Sequence, residues 1–436
     1  MEWWLILVGG LALLAAAFIT GVPLFVAFLL VNFIGVLVMI GPSGFGLIAN
    51  SIFDTVNLDA LAALPLFILM GEVLFRGGAI GELLKSVDKL VGRLPGRQYV
   101  LTSLLSTIFG ALSGSAMAVS AMMSRSMFPE MVANGYDRKM SAGVIMAGAS
   151  LAPIIPPSIA VILIATLAGA SIAKLLIAGI LPGLLLAGLF IAYTTVRSVM
   201  DPSLTPAAGK EVVSRPTDRQ KMTALVRLSP FGLVIFSVMG FILLGIATPT
   251  EAAATGVLGA LITAAIFGKL RWSMINSALH TAALITGTIL VIMASSNMFG
   301  QLLALTGTAA RLTDAVASIN VPIPVLVLML MAITFLFCVF ADEIAMLLIL
   351  IPLFKPIVVA VGMNEVWFWT LMLINLVLGG ITPPFGYTMY AFKSGAPDMP
   401  LSEVYAATWP YVAIYVAAIF LIIMFPQIAT YLPSLL

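Results

Sequence analysis

Over most of this chain apolar positions do not alternate with polar ones; they run on. Trp3–Ile19, Leu175–Val196, Phe231–Ile246 and Tyr411–Phe425 are almost unbroken apolar stretches, and they approach or reach the ~20 residues a helix needs to cross hydrocarbon. The pattern predicts an all-α membrane protein. Two stretches depart from it. Arg76–Arg97 carries Arg76, Lys85, Lys89, Arg93 and Arg97 on an amphipathic pattern, which predicts a helix lying along the cytoplasmic interface. Arg197–Arg227 holds Arg197, Lys210, Arg215, Arg219, Lys221 and Arg227 with Pro202, Pro206 and Pro216, and reads as a solvated loop. Met1-Glu2-Trp3-Trp4 has no basic leader, so it is expected to open a first spanning helix with interfacial tryptophans.

Composition sharpens the picture. Apolar residues make up 62% of the chain and charged residues only 9%, against about 25% charged in soluble proteins. Cys338 and His280 are the sole cysteine and histidine, which excludes an intrachain disulfide and a His/Cys metal cluster. There is no G-x-x-x-x-G-K-[ST] phosphate loop, so this chain does not itself hydrolyse nucleotide. No nucleic-acid partner is expected; the partner is the bilayer. Basic loops stay in the cytoplasm. With the two basic stretches inside, all lysines and arginines except Lys174, Arg311 and Lys355 face the cytoplasm, and the chain begins outside.

The chain also repeats itself. An offset of 227 residues aligns Leu112–Pro157 with Val339–Pro384 without a gap. It places Ala118, Pro129, Val132, Ala133, Gly135, Ile154, Pro156 and Pro157 on Ala345, Pro356, Val359, Ala360, Gly362, Ile381, Pro383 and Pro384. One residue of slippage then brings Pro182 onto Pro410. Several of these are Pro or Gly, which punctuate backbone and seldom coincide by chance. The basic stretch 76–97 has as its counterpart Leu305–Pro322, where only Arg311 is basic. If one faces inward the other faces outward, which is an inverted repeat. The expected division is N-terminal scaffold helices at 1–59, a first repeat at 60–196, a cytoplasmic loop at 197–228, linking scaffold helices at 229–283 and a second repeat at 284–436.

Each repeat has two places where a plain spanning helix is implausible. One is Gly110–Ala116, small and polar, matched by Phe340–Ile344; the other is Pro153–Ser158, matched by Gly379–Pro384. Proline removes an amide donor and clashes with the preceding turn, so Pro156-Pro157 and Pro383-Pro384 free carbonyls that lipid cannot satisfy. Such backbone is tolerated only beside protein or a water-filled cavity. Freed carbonyls and half-helix ends suit a Na⁺ ion and an anionic solute. Residues 100–123 and 324–350 are therefore read as re-entrant hairpins with tips near Ser115 and Asp342. The helices of 140–167 and 366–392 are read as broken at the Pro-Pro pairs. The alternative is that Ser113-Gly114-Ser115 merely lets helices pack closely.

Asp342 and Glu343 are adjacent carboxylates in an apolar segment, where a charge costs at least ~2.5–3.5 kcal/mol and calls for a partner or a cavity. A cation site accounts for Asp342; Glu343 sits at a wet mouth, is protonated, or is paired. Thr248-Pro249-Thr250-Glu251 reads as an outward turn, His280 as interfacial, and Asp54, Asp59 and Glu365 as loop charges. Lys393 either attracts an anion or simply obeys the positive-inside rule.

At these motifs the sequence resembles the large membrane subunit of tripartite ATP-independent periplasmic (TRAP) transporters. Ser113-Gly114-Ser115-Ala116, Phe128-Pro129-Glu130-Met131, Asn134-Gly135-Tyr136-Asp137, Ile155-Pro156-Pro157-Ser158 and Ile177–Gly183 carry the likeness in the first half. Thr248–Ala253 resembles the family's central signature; Ile351–Phe354, Ile381–Gly386 and Ala396-Pro397-Asp398 resemble its closing motifs. The resemblance implies a scaffold plus a mobile transport domain working as a Na⁺-driven elevator in the bacterial inner membrane. It implies a small four-helix membrane subunit and a periplasmic substrate-binding protein that delivers a small organic anion. At least two sodium ions are implied, one around Ser113, Ser115 and Ser158, the other around Asp342, Gly379 and Thr382. The solute would lie between the tips, near Ser113, Gly114, Ser115, Ala341 and Asp342, with Pro156, Pro157, Pro383 and Pro384 behind it. Val119, Glu343 and Lys355 depart from the family pattern.

Two rival readings are weaker. An intramembrane serine hydrolase would use Ser113 with His280 as base, but nothing anchors His280 nearby, and no enzyme is expected. A channel or non-transporting membrane subunit would not accumulate solute. The sequence leaves the solute open among sialic acid, C4-dicarboxylates, sulfonates and other small acids.

Overall fold

The computed structural model describes residues 2–91, 96–206, 217–319, 321–338 and 343–436. These form helices joined by turns, with no strand among them. Where water is excluded, every backbone N–H and C=O must be paired within its own segment, and a helix does this. The chain opens with α1 (Trp3–Ile19), α2 (Leu24–Met39), α3 (Gly46–Val56), α4 (Ala63–Arg76) and α5 (Ala79–Leu90). Helix α1 coincides with the first apolar run. The basic stretch 76–97 is not one helix: Arg76 closes α4, Gly78 turns the chain at φ 78°, and Arg97 begins the next helix. Only α5 carries the amphipathic pattern, and two successive glycines end α4 before it.

Helices α6 (Arg97–Ser113), α7 (Ala116–Ala133), α8 (Arg138–Ser150), α9 (Ile159–Ala168), α10 (Ile172–Ala178) and α11 (Ile180–Met200) follow. The basic connection is narrower than the sequence implied. Helix α11 runs on to Met200 and α12 (Asp218–Leu243) starts at Asp218, because Arg197, Arg219, Lys221 and Arg227 can sit on helix ends with their charged heads in water. Lys210 and Arg215 lie outside the described residues. Next come α13 (Pro249–Ile266), α14 (Trp272–Leu305), α15 (Thr308–Ala317), α16 (Ile323–Cys338), α17 (Glu343–Ala360), α18 (Glu365–Gly380), α19 (Tyr387–Gly395) and α20 (Leu401–Met424). Thr248 and Glu251 are not a free turn. They form a capping box that starts α13, with Pro249 in its first turn, where a missing N–H costs nothing. His280 lies exposed on α14, Asp54 on α3, and Glu365 in the first turn of α18.

Six of these helices or continuous helix pairs are long and apolar enough to cross a membrane. Their outer faces fit lipid. On α13, Leu258, Ile262 and Ile266 are each about 60% exposed, while Ala252, Ala253, Ala260 and Ala264 on the other face are buried. Small residues let helices approach closely, and a β-carbon on Gly256 would fall 2.5 Å from Met70 Sδ on α4 and 2.7 Å from Val238 on α12. Helix α4 packs on α13 and α14, α12 on α13 and α5, and α14 on α2 and α3. The other helices form a second set: α7 packs on α19 and α8, α6 on α8, α16 on α18, α17 on α9, and α20 on α8 and α18.

The 227-residue offset reappears in the element bounds. Helices α7 and α17 end one offset apart, α8 and α18 start one offset apart, and the cis bonds Pro156-Pro157 and Pro383-Pro384 do the same.

Candidate functional site

The first break is a helical hairpin tip. Helix α6 ends at Ser113; Gly114 is left-handed (φ 63°), and its N–H bonds the Gly110 carbonyl at 2.8 Å. A positive φ is costly for residues with a β-carbon, which accounts for the glycine. The chain reverses into α7 with Ser115 as N-cap, its Oγ accepting from Ala118 N–H at 3.3 Å. Ser113 Oγ accepts from Ser115 N–H at 3.3 Å. The tip thus joins the carbonyl end of one helix to the amide end of another, partially negative beside partially positive.

The second break lies between α8 and α9, across Leu151–Ser158. Ser158 is fully buried; its Oγ donates to Pro153 O and accepts from Val161 N–H at 3.2 Å. It caps α9 and closes the proline turn, so its hydroxyl is already engaged on both sides. The two breaks meet. A β-carbon on Gly114 would lie 3.5 Å from the Pro157 carbonyl, and one on Gly110 would lie 2.9 Å from Ala152 Cα.

The second half has a break of its own. Helix α18 ends at Gly380, the chain turns through Ile381–Gly386, and α19 begins at Tyr387. A β-carbon on Gly379 would lie 2.4 Å from Cys338 Cβ. One offset back, Gly379 corresponds to Ala152 and Cys338 to Ala111, so the same two elements touch in each half. Thr382 is buried and its Oγ1 donates to Leu378 O at 2.6 Å. Pro383 is half-buried and Pro384 exposed. Ala341 and Asp342, the expected second tip, lie outside the described residues.

Of the sequence-predicted residues, the structure gathers Ser113, Gly114, Ser115, Pro157 and Ser158 at one junction. Gly379, Thr382, Pro383 and Pro384 gather at the other. The halves are linked: Ser120 Oγ on α7 donates to Thr388 O at the start of α19, at 2.9 Å. Glu343, in the first turn of α17, accepts a hydrogen bond from Tyr387 OH. Lys393 donates to Pro397 O and Met399 O, closing the loop after α19.

Sequence reasoning missed Ser120, Tyr387, Ser296 and Asn375. Asn375 Nδ2 on α18 donates to Met331 O on α16 at 2.6 Å, inside the core. Ser296 Oγ on α14 donates to Leu348 O on α17. For Ser296 a signal existed: Pro352 cannot donate to the carbonyl four residues earlier, which predicts an outside donor for Leu348.

The family model described as "Tripartite ATP-independent periplasmic transporter, DctM component" matches residues 11–428. The ectoine TRAP transporter large permease protein TeaC of Halomonas elongata is 30% identical over 422 residues, covering 95% of this chain and 96% of that protein. The C4-dicarboxylate TRAP transporter large permease protein DctM of Rhodobacter capsulatus is 28% identical, covering 89% and 90%. The isethionate TRAP transporter permease protein DctMQ of Oleidesulfovibrio alaskensis is 27% identical, covering 89% of this chain and 59% of that protein. Among solved structures, the YdaH transporter of Alcanivorax borkumensis shares the fold with a TM-score of 0.63 at 14% identity, over 88% of this chain and 89% of that one.

Proposed function

The chain belongs to the DctM-component family of tripartite ATP-independent periplasmic transporters, and from that premise we propose that it couples Na⁺ to the inward movement of a small organic acid across the bacterial inner membrane. As a large permease of this family it is a multi-pass membrane transporter subunit and not an enzyme. On our reading the solute arrives from a periplasmic binding protein, and a small membrane subunit completes the complex. Relatives are named for ectoine, C4-dicarboxylates and isethionate; each carries a carboxylate or sulfonate, and that is the class we assign.

The observation that carries this reading is the meeting of tip and broken helix at Gly114 with Pro157, together with the contact of α16 with the second broken helix at Cys338 and Gly379. Each junction gathers helix ends of opposite partial charge, which suits a cation beside an anion. One sodium ion is assigned to the tip carbonyls and Ser113 and Ser115 beside Ser158, the other to Asp342, Gly379 and Thr382. Since the Ser158 hydroxyl both donates and accepts, freed carbonyls are the ligands we favour there, whereas the Thr382 hydroxyl, a donor to Leu378 O, keeps its lone pairs for an ion. The repeats at 60–196 and 284–436 are taken as inverted. Helices α1–α5 with α12–α15 form the scaffold, and α6–α11 with α16–α20 the elevator body.

The test is reconstitution of the whole complex in proteoliposomes with its loaded binding protein. Accumulation of solute against its gradient, abolished when K⁺ replaces Na⁺, is the expected result. Equilibration without accumulation would leave a channel instead.

A further inference from the structure

A cavity of about 400 Å³, mostly apolar but with Ser51, Asp54, Thr55, Asn297, Gln301 and Lys355 in its lining, lies between α3 and α14 on one side and α9 and α17 on the other. Its mouth is at the exposed Asp54, Leu58 and Ala304, and its floor at the buried Ser51, Thr55 and Leu167. Asn297 Nδ2 donates to Thr55 Oγ1 at 3.0 Å, and Thr55 in turn to Ser51 O at 2.7 Å. Lys355 enters from α17, half-buried, between Pro352 and Pro356. Its ammonium has three donor hydrogens, and the contact described for it is a long one, 3.4 Å to Leu167 O. A half-buried ammonium facing polar side chains in a roomy cavity calls for a counter-charge. Asp54 supplies part of one from the opposite rim, without forming an ion pair with Lys355 among the described residues.

Position adds a second argument. Lys355, Lys174 and Arg311 are the basic residues that the charge distribution leaves on the outer face. All three belong to this end of the molecule: Arg311 is two residues past the lining residue Ala309, and Lys174 opens α10, which packs against α9. Basic residues around a cleft with low-dielectric walls concentrate anions. The cavity also lies on the helices that lead to the junctions. Lys355 is about 18 Å along α17 from Glu343, and Leu167 about 14 Å along α9 from Ser158, at 1.5 Å per residue.

We propose that this cavity is an outer waiting site for a small carboxylate or sulfonate anion, held by the Lys355 ammonium with the amides of Asn297 and Gln301, before it reaches the hairpin tips. The proposal rests on the reading that the chain carries an organic acid. It differs from the tip sites in needing no sodium, since a fixed lysine supplies the charge. Asp54 makes the site weak for dianions and better for a solute whose anionic group is accompanied by a positive one.

The experiment uses the full complex in proteoliposomes with Ala304→Cys, at the exposed mouth of the cavity, as a reporter, and the parent protein, whose Cys338 is buried, as the control. The anionic reagent sulfonatoethyl methanethiosulfonate should modify the reporter roughly ten-fold faster than its trimethylammonioethyl counterpart, after normalising to a free thiol. Lys355→Gln should abolish that preference and Lys355→Arg should keep it. In Na⁺-free buffer, at least one of succinate, isethionate and ectoine at millimolar concentration should slow modification, and Lys355→Gln should remove the protection. Equal rates for the two reagents, or no protection by any of the three, overturns the waiting site. Protection without Na⁺-driven accumulation would sink the transport reading alone, and accumulation without protection would sink the waiting site alone.

Discussion

Gly379 and Cys338 touch so closely that a β-carbon on the glycine would overlap that of the cysteine, 2.4 Å away. The last turn of α18 therefore seats directly on Cys338 of α16, next to the second break. In the first half the glycine lies on the other partner, Gly110 against Ala152. Gly379→Ala and Gly110→Ala should each destabilise the protein by about 1–3 kcal/mol, the usual cost of overpacking, and depress uptake more than stability. Thermal unfolding of the purified protein and uptake in proteoliposomes check this pair. Gly287→Ala, where a β-carbon meets open space, is the control and should change neither.

Ser296 and Pro352 act as a compensated pair. Proline at 352 leaves Leu348 O without its helical donor, and the Ser296 hydroxyl on α14 replaces it. Ser296→Ala should cost about 1–3 kcal/mol, the penalty of an orphaned buried carbonyl. Pro352→Ala returns the missing amide to α17, so the double variant should be more stable than Ser296→Ala alone. Additive losses in that double-mutant cycle would disprove the compensation.

Much of this architecture was legible because proline and glycine carry backbone information that survives an apolar composition. Pro156-Pro157 and Pro383-Pro384 located both broken helices, and Gly114 located the first tip. Helices α7 and α17 then fell on the offset those residues had fixed. The basic stretch 76–97 was misread as one helix because the charge pattern outweighed Gly77-Gly78. What stayed hidden depends on three-dimensional neighbours. Nothing near Ser158 in sequence says that its hydroxyl is engaged on both sides, and nothing near Ser120 points to Thr388, far along the chain. Asp54 read as a loop charge because a carboxylate in an apolar context gives no clue that a lysine lies across a cavity from it.

The Tyr387–Glu343 hydrogen bond fastens the head of α17 to the start of α19. A hydrogen bond of this kind contributes about 0.5–1.5 kcal/mol net, so Tyr387→Phe should loosen the contact of α17 with α19 and slow uptake several-fold. Glu343→Gln keeps an acceptor for the tyrosine and should be milder. Applied in the Tyr387→Phe background, Glu343→Gln should cost less than it does alone. Full additivity of the two variants in initial uptake rates would mean that they act independently.

Asp342 lies outside the described residues; as a carboxylate within an apolar segment of the sequence it is our candidate for an anionic sodium ligand. Asp342→Ala should raise the Na⁺ concentration for half-maximal uptake roughly ten-fold or more, as expected when a charged contact worth about 1.5–3 kcal/mol is lost. Ser115→Ala tests the other tip differently. It removes the N-cap to Ala118, worth about 0.5–2 kcal/mol, but spares the backbone carbonyls that we take to bind the ion. Its Na⁺ dependence should therefore shift less than that of Asp342→Ala while its thermal stability falls. Sodium titrations of uptake on the two variants, at matched amounts of protein in the membrane, separate the roles. A Na⁺ dependence in Asp342→Ala equal to the parent's would remove Asp342 from the ion site.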